Sequence, residues 1–133
     1  MGKIIALDYG ERYVGVALTD SDNRMALRHS VVDQKKQDIE KVLESLIEEE
    51  DVERVLVGVP LSLSGEETNQ THVSLQFIER MRTLFEDVDI EGVDETLTSV
   101  EAERRIKSEG AKPIESHAEA ARMMLEDRMR LGI

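Results

Sequence analysis

The sequence predicts an α/β fold: a mixed five-stranded sheet, made of an antiparallel three-strand meander plus two parallel strands, with helices on both faces. Three observations carry this expectation. Residues 3 to 31 are short apolar runs broken by turn residues. From about Lys36 the apolar spacing turns helical and then alternates between strand and helix. Beyond Asp94, two segments open with helix-capping patterns.

The first strand is Lys3 to Tyr9, an apolar run of the kind buried on both faces, which delivers Asp8 to its C-terminal end. After Gly10, the segment Tyr13 to Thr19 is again apolar, and Ser21-Asp-Asn supplies a turn before a third strand, Met25 to Val31. Ile39, Val42, Leu43, Leu46 and Ile47 recur at helical spacing between Lys36 and Glu50, with acids and lysines on the other face. Arg54 to Val59 is a buried strand stopped by Pro60, and Thr71 to Phe85 is a helix with a stripe through Val73, Phe77, Ile78, Met81 and Leu84. Val88 to Val93 is the fifth strand and ends on Asp94 and Glu95. Thr98 with Glu101, and Ser116 with Glu119, match the capping box, and Ala120, Ala121, Met124 and Leu125 form the inner face of the last helix. A meander ahead of the β-α alternation argues against a flavodoxin or Rossmann arrangement and favours an RNase H-like mixed sheet.

With 133 residues the chain is the size of one compact domain, residues 1–133. No stretch approaches the roughly 20 apolar residues that span a bilayer, and the N-terminus runs straight into a strand instead of a signal core. A cytoplasmic protein that does not enter membranes is expected. The absence of cysteine excludes disulfides, Cys-based zinc sites and thiol nucleophiles. A net charge of −12 repels phosphates on average, although Arg12, Arg24, Arg28, Arg80, Arg82, Arg104, Arg105 and Lys107 lie outside the acidic run from Asp38 to Glu53 and could form a local basic rim. Two Phe, two Tyr and no Trp argue against a module that grips single strands by stacking bases on aromatic side chains.

In α/β sheets ligands gather beyond the carboxyl ends of the parallel strands, where this sequence places Asp8, Asp94 and Glu95. Carboxylates brought together there repel unless a cation lies between them. Hard oxygen ligands suit Mg2+ or Mn2+, which promote phosphodiester hydrolysis.

Four segments, in order and at suitable spacing, are similar to one family: Ala6-Leu-Asp-Tyr-Gly with Val14-Gly-Val-Ala; Val57-Gly-Val-Pro-Leu with Gly65 and Glu67; Asp94-Glu-Thr-Leu-Thr-Ser-Val-Glu-Ala; and Ala120-Ala leading into Met124-Leu. Over nearly the whole chain the sequence resembles the YqgF family of RNase H-like nucleases, also described as Holliday-junction-resolvase-like and linked to pre-16S rRNA maturation. The resemblance implies that Asp8 and Glu95 are acids of the active site, with Gly10 and Gly15 as the glycines that follow the first acid. It also implies a loop from Gly58 to Gly65 over the same strand ends, so Gly10, Arg12, Gly15, Pro60, Ser64 and Gly65 are candidate substrate contacts. Three positions depart from the family pattern: Thr96 replaces an arginine, Ser64 an aspartate, and His117 stands where the third catalytic aspartate belongs. With Ser116 as N-cap, His117 would open a helix, whose positive end disfavours imidazolium; a neutral ring can ligate metal and moves the preference from Mg2+ towards Mn2+. Glu119 is an alternative third acid.

The function expected is that of a metal-dependent nuclease in 5′-end maturation of pre-16S rRNA, with Asp8, Glu95 and His117 as catalytic and metal-binding residues, acting on pre-rRNA or ribosomal particles as a monomer or homodimer. One alternative is a Holliday-junction resolvase acting on branched DNA. Another is an inactive RNA- or protein-binding module, for which His117, Thr96 and the acidic surface speak. Asp8-Tyr-Gly with Gly15 also resembles the phosphate loop of actin-like kinases, but that fold needs two lobes.

Overall fold

A computed structural model of the chain describes residues 2–60, 66–95 and 98–132. Ser64, Gly65, Thr96 and the proposed cap at the Thr98 side chain lie outside the described residues. Strand β1 (Lys3–Tyr9) is central, with β2 (Tyr13–Thr19) and then β3 (Ala26–Asp33) on one side and β4 (Val52–Val59) and then β5 (Asp89–Asp94) on the other. The β1–β2 and β2–β3 pairs are antiparallel, and β1–β4 and β4–β5 are parallel, which is the mixed sheet the sequence predicts. Helices α1 (Ile39–Glu49) and α2 (Asn69–Leu84) follow β3 and β4, and α3 (Thr98–Glu109) and α4 (Ser116–Arg130) follow β5. Among the described residues no helix is long and apolar enough to cross a membrane.

Alternation along the strands separates two cores. Ile5, Leu7 and Tyr9 of β1 and Val55 and Val57 of β4 meet Leu43 of α1 and Phe77 and Met81 of α2. Tyr9 stacks on Phe77 with ring centroids 4.0 Å apart. On the opposite face Ile4, Ala6, Ala17 and Leu56 meet Ala121, Met124 and Leu125 of α4. Small side chains on both partners let α4 lie close: a Cβ on Gly15 would run into the backbone carbonyl of His117, and one on Gly58 would come within 2.7 Å of Met124 Sδ.

Helix starts differ from the expected ones for local reasons. Helix α1 begins at Ile39, after Asp38, whose side chain accepts from the Glu40 amide; Lys36 and Gln37 instead donate back to the Asp33 carbonyl as a turn. Helix α2 is capped by Thr68, which forms a reciprocal box with Thr71. The capping box expected at Ser116 and Glu119 does not form. A 3-10 turn, Pro113–Glu115, runs directly into α4, so Ser116 is already helical and no side chain caps the start.

Glu119 is thereby free for another task. It is 1% exposed and accepts from Arg122 Nε (2.6 Å) and Nη2 (2.7 Å) and from Arg28 Nε (2.8 Å), with Arg105 3.7 Å away. Arg28 also donates to Glu109 at 2.8 Å. One buried carboxylate thus ties β3 to α3 and α4. Burial works to raise its pKa, but the hydrogen bonds from Arg122 and Arg28 outweigh that and hold it below the ordinary value. Such a depressed group adds stability above the unfolded-state pKa and loses it as the pH falls. Removing one partner of a buried pair strands the others, so Glu119→Gln is expected to cost about 3 kcal/mol at neutral pH in urea unfolding. The gap to the parent should narrow on acidification, as Glu119 itself becomes protonated.

Candidate active site at the carboxyl edge of the sheet

Because β1, β4 and β5 run parallel, their C-terminal ends share one edge, to which the antiparallel β2 brings its first residue, Tyr13. Asp8 follows Ile4 and Ala6 on the α4 side of β1, with its side chain 13% exposed. Glu95 comes one residue after β5, its amide donating to the Val59 carbonyl at 3.4 Å. A Cβ on Gly58 would lie 2.5 Å from Glu95 Oε2, so the bare backbone there makes room for the carboxyl group.

Glu95 is only 7% exposed, and Oε2 has no hydrogen-bond partner among the described residues. Burial is the main cause that pushes its pKa up to about 9, followed by a hydrogen bond with Asp8 and the negative charges of Asp8 and Asp94. Two carboxyl groups in this relation cannot both ionise cheaply. They hold a proton between them or accept a cation.

His117 Nδ1 stands 3.7 Å from Asp8 Oδ2, beyond hydrogen-bond distance. Its ring is tilted by 34° against Tyr13, centroids 5.4 Å apart, and the Arg12 guanidinium lies 4.9 Å over the other ring. Arg12 also pairs with Asp33 at 3.4 Å. Gly10 closes the β1–β2 turn, its amide donating to the Tyr13 carbonyl at 3.0 Å. A cleft of about 260 Å³ is lined by Asp8, Gly10, Pro60, Glu95 and His117 together. Gly15 stands apart from this lining, beneath the first turn of α4. Glu119 does not reach the cleft, because three arginines hold it elsewhere.

Gln70 and Glu103 also line the cleft, and the sequence did not single them out. Gln70 donates to the Tyr9 carbonyl at 3.1 Å and so pins the start of α2 to the end of β1. Glu103 sits among Glu101, Arg104 and Arg105 on a highly charged helix, where nothing in the spacing distinguishes it.

Among the described residues no group of three or more His, Cys, Asp or Glu has a geometry that could hold a metal ion. What the fold does assemble is a carboxyl pair with one buried oxygen, Glu95 Oε2, that lacks a hydrogen-bond partner among the described residues. That donor chemistry fits a hard divalent cation held by two protein ligands, its other positions left to water and substrate oxygens.

Sheet order, helices on both faces and acids at the ends of β1 and β5 define an RNase H-like protein. RuvC of Thermus thermophilus, solved in complex with a Holliday junction substrate, shares the fold with a TM-score of 0.59 at 15% identity, over 98% of this chain and 96% of that one. The chain belongs to the RuvX family, described as Holliday junction resolvase, whose model matches residues 2–130. This is the family named YqgF above, so the motif resemblance holds, and it places the chain among nucleases. A protein of Chloroflexus aurantiacus named "Putative pre-16S rRNA nuclease" is 35% identical over 130 residues, covering 93% of this chain and 84% of its own. A relative of the same name from Roseiflexus sp. is 34% identical over 132 residues, covering 95% and 92%.

The raised pKa of Glu95 has a sign opposite to that of Glu119. The folded chain keeps a proton that the unfolded chain releases above 4.5, so this group subtracts stability as the pH rises from 4.5 towards about 9. In metal-free buffer Glu95→Gln is expected to be the more thermostable protein at pH 8, with the difference gone at pH 4, as read from melting curves.

Proposed function

We propose that this chain is a divalent-metal-dependent nuclease that hydrolyses phosphodiester bonds in the 5′-end maturation of pre-16S rRNA in the cytoplasm, as a single RNase H-like domain, with Mg2+ or Mn2+ as its cation. The observation that carries this reading is the contact of Asp8 with the buried Glu95, whose Oε2 has no hydrogen-bond partner among the described residues, at the carboxyl edge. The names of the Chloroflexus and Roseiflexus relatives support pre-16S rRNA as the substrate. The family description and the RuvC structure support branched DNA as a second reading.

Asp8 and Glu95 are the residues that would hold the cation; His117 lies beside Asp8 and would join them as a third donor only on a shift of its side chain, since the three do not form a ligand group as they stand among the described residues. When bound, the cation supplies charge neutralisation at the two carboxylates and Lewis-acid stabilisation of phosphodiester oxygens. Glu95 must release its proton to take part, which makes the site more competent as the pH rises. A nitrogen donor at position 117 favours Mn2+ over Mg2+. Gly10 and Pro60 line the cleft beside Asp8, where a phosphate would approach it.

The test is cleavage of 5′-extended 16S rRNA fragments, beside four-way DNA junctions, with Mn2+ or Mg2+. Asp8→Asn should lose more than the ~100-fold that removing an outer hydrogen-bond partner of a ligand costs. Glu95→Gln should lose activity in the same way, and His117→Ala should lose it more with Mn2+ than with Mg2+. Cleavage by Asp8→Asn at the parent rate would overturn the reading.

A further inference from the structure

A second cavity, of about 720 Å³, lies against the acid cleft between the start of β2, α3 and the turn that leads into α4. The two cavities share Glu103, Ser116 and His117 as a common wall. The larger one has a different chemistry. Tyr13, Ala111, Pro113 and Ile114 give it an apolar lining over the buried Ile106, and Ile114 is 37% exposed. Lys107 sets a positive charge on its lining. Nothing in the hydrolytic reading uses this space, although its volume is within the ~300–1,000 Å³ typical of small-molecule sites.

We propose that this cavity is a base-binding subsite, which receives one unpaired nucleobase of the nucleic-acid substrate while the phosphate joined to that nucleotide lies over Asp8 and Glu95. The proposal rests on the nuclease reading and names what that site selects. Tyr13 and His117 already form a tilted ring pair there, with Arg12 over Tyr13, so planar groups at this spot are stabilised by their neighbours. A base is a planar group with apolar faces and a polar edge. Ile114 suits a face, and the Glu103 carboxylate can accept from an N–H on the edge. The net charge of −12 sharpens the point, because a protein that gains little from phosphate attraction needs another source of affinity, and stacking is insensitive to that charge. Only unpaired nucleotides can enter, so single-stranded or frayed segments are favoured over continuous duplex.

Binding and cleavage are measured separately. A single-stranded RNA containing 2-aminopurine, and DNA of the same sequence, are titrated in metal-free buffer with the parent protein, Tyr13→Phe, Tyr13→Ala and Ile114→Glu, each shown to be folded by circular dichroism. The parent and Tyr13→Phe should quench the fluorophore. Tyr13→Ala should bind about tenfold more weakly, in line with the loss of one stacked base, and Ile114→Glu should bind weakly with no quenching. Stronger binding of RNA than DNA, or equal binding, supports the subsite and tells which sugar it accepts. Parent-like affinity and quenching in both Tyr13→Ala and Ile114→Glu overturns it, as does failure of the parent to bind single strands. If those variants behave like the parent while the parent cleaves RNA with Mn2+, the subsite falls and the nuclease reading stands. Quenching that depends on Tyr13, without cleavage of any substrate, has the reverse meaning.

Discussion

Gly15 pairs with Asp8 across the β1–β2 ladder, and over its bare Cα runs the backbone of His117. A side chain at position 15 would lift the first turn of α4 off the sheet, since a close-packed interior has no slack to absorb a methyl group against a carbonyl. The same seating depends on Ala17 and Ala6 below and Ala121 above, and further along on Gly58 under Met124. Because α4 lies this close, its N-terminal end reaches the carboxyl edge and sets His117 beside Asp8. Gly58 serves the site a second time by leaving the volume that the Glu95 carboxyl occupies. The glycines therefore shape the site from below, and the acids and rings occupy what they leave.

Two buried glutamates on the α4 side show how the fold separates structure from chemistry. Glu119 is surrounded by arginines from three elements and is held ionised. Glu95 is buried beside another acid and is held protonated. A carboxylate satisfied by cations is a tie, whereas one left short of partners next to a like charge is a site waiting for a proton or a cation. The same pairing uses up much of the basic rim that composition suggests: Arg28 and Arg105 serve Glu109, Glu119 and Glu101, Arg80 reaches Glu40, and Arg82 holds Glu79 and the Ile90 carbonyl. The acidic helix α1 packs on the opposite face of the sheet from α4, which keeps much of the negative charge away from the cleft.

Strand and helix periods were legible in the sequence because most of the core is contiguous along each element, although Val73 and Leu84 of the expected α2 stripe are exposed. The position of Asp8 and Glu95 at the carboxyl edge was legible from strand ends, and the choice of Glu95 over Asp94 came from the family resemblance. What escaped depends on contacts between distant positions. Ser116 and Glu119 satisfy the capping pattern locally, but Arg28, 91 residues earlier in the chain, takes the carboxylate, and Pro113 starts the turn that makes Ser116 helical. Thr68 and Thr71 do form a box, with a hydroxyl where the usual pattern has Glu or Gln. Glu103 and Ile114 acquire meaning only once α3, β2 and the turn before α4 enclose a space.

The histidine at position 117 follows from the same charge argument. A third carboxylate there would face Asp8 and Glu95, a pair whose contact and burial already hold a proton, and each added negative charge makes a second ionisation more costly. An imidazole there adds no such charge, so the edge carries two carboxylates instead of three. Its ring does something else that an aspartate could not. One side is turned to Asp8 and the other to Tyr13, so His117 forms part of the wall of both the acid cleft and the apolar cavity. On the proposed reading, His117, one of the three positions that depart from the family pattern, joins the place where a phosphate is cut to the place where the adjoining base is held.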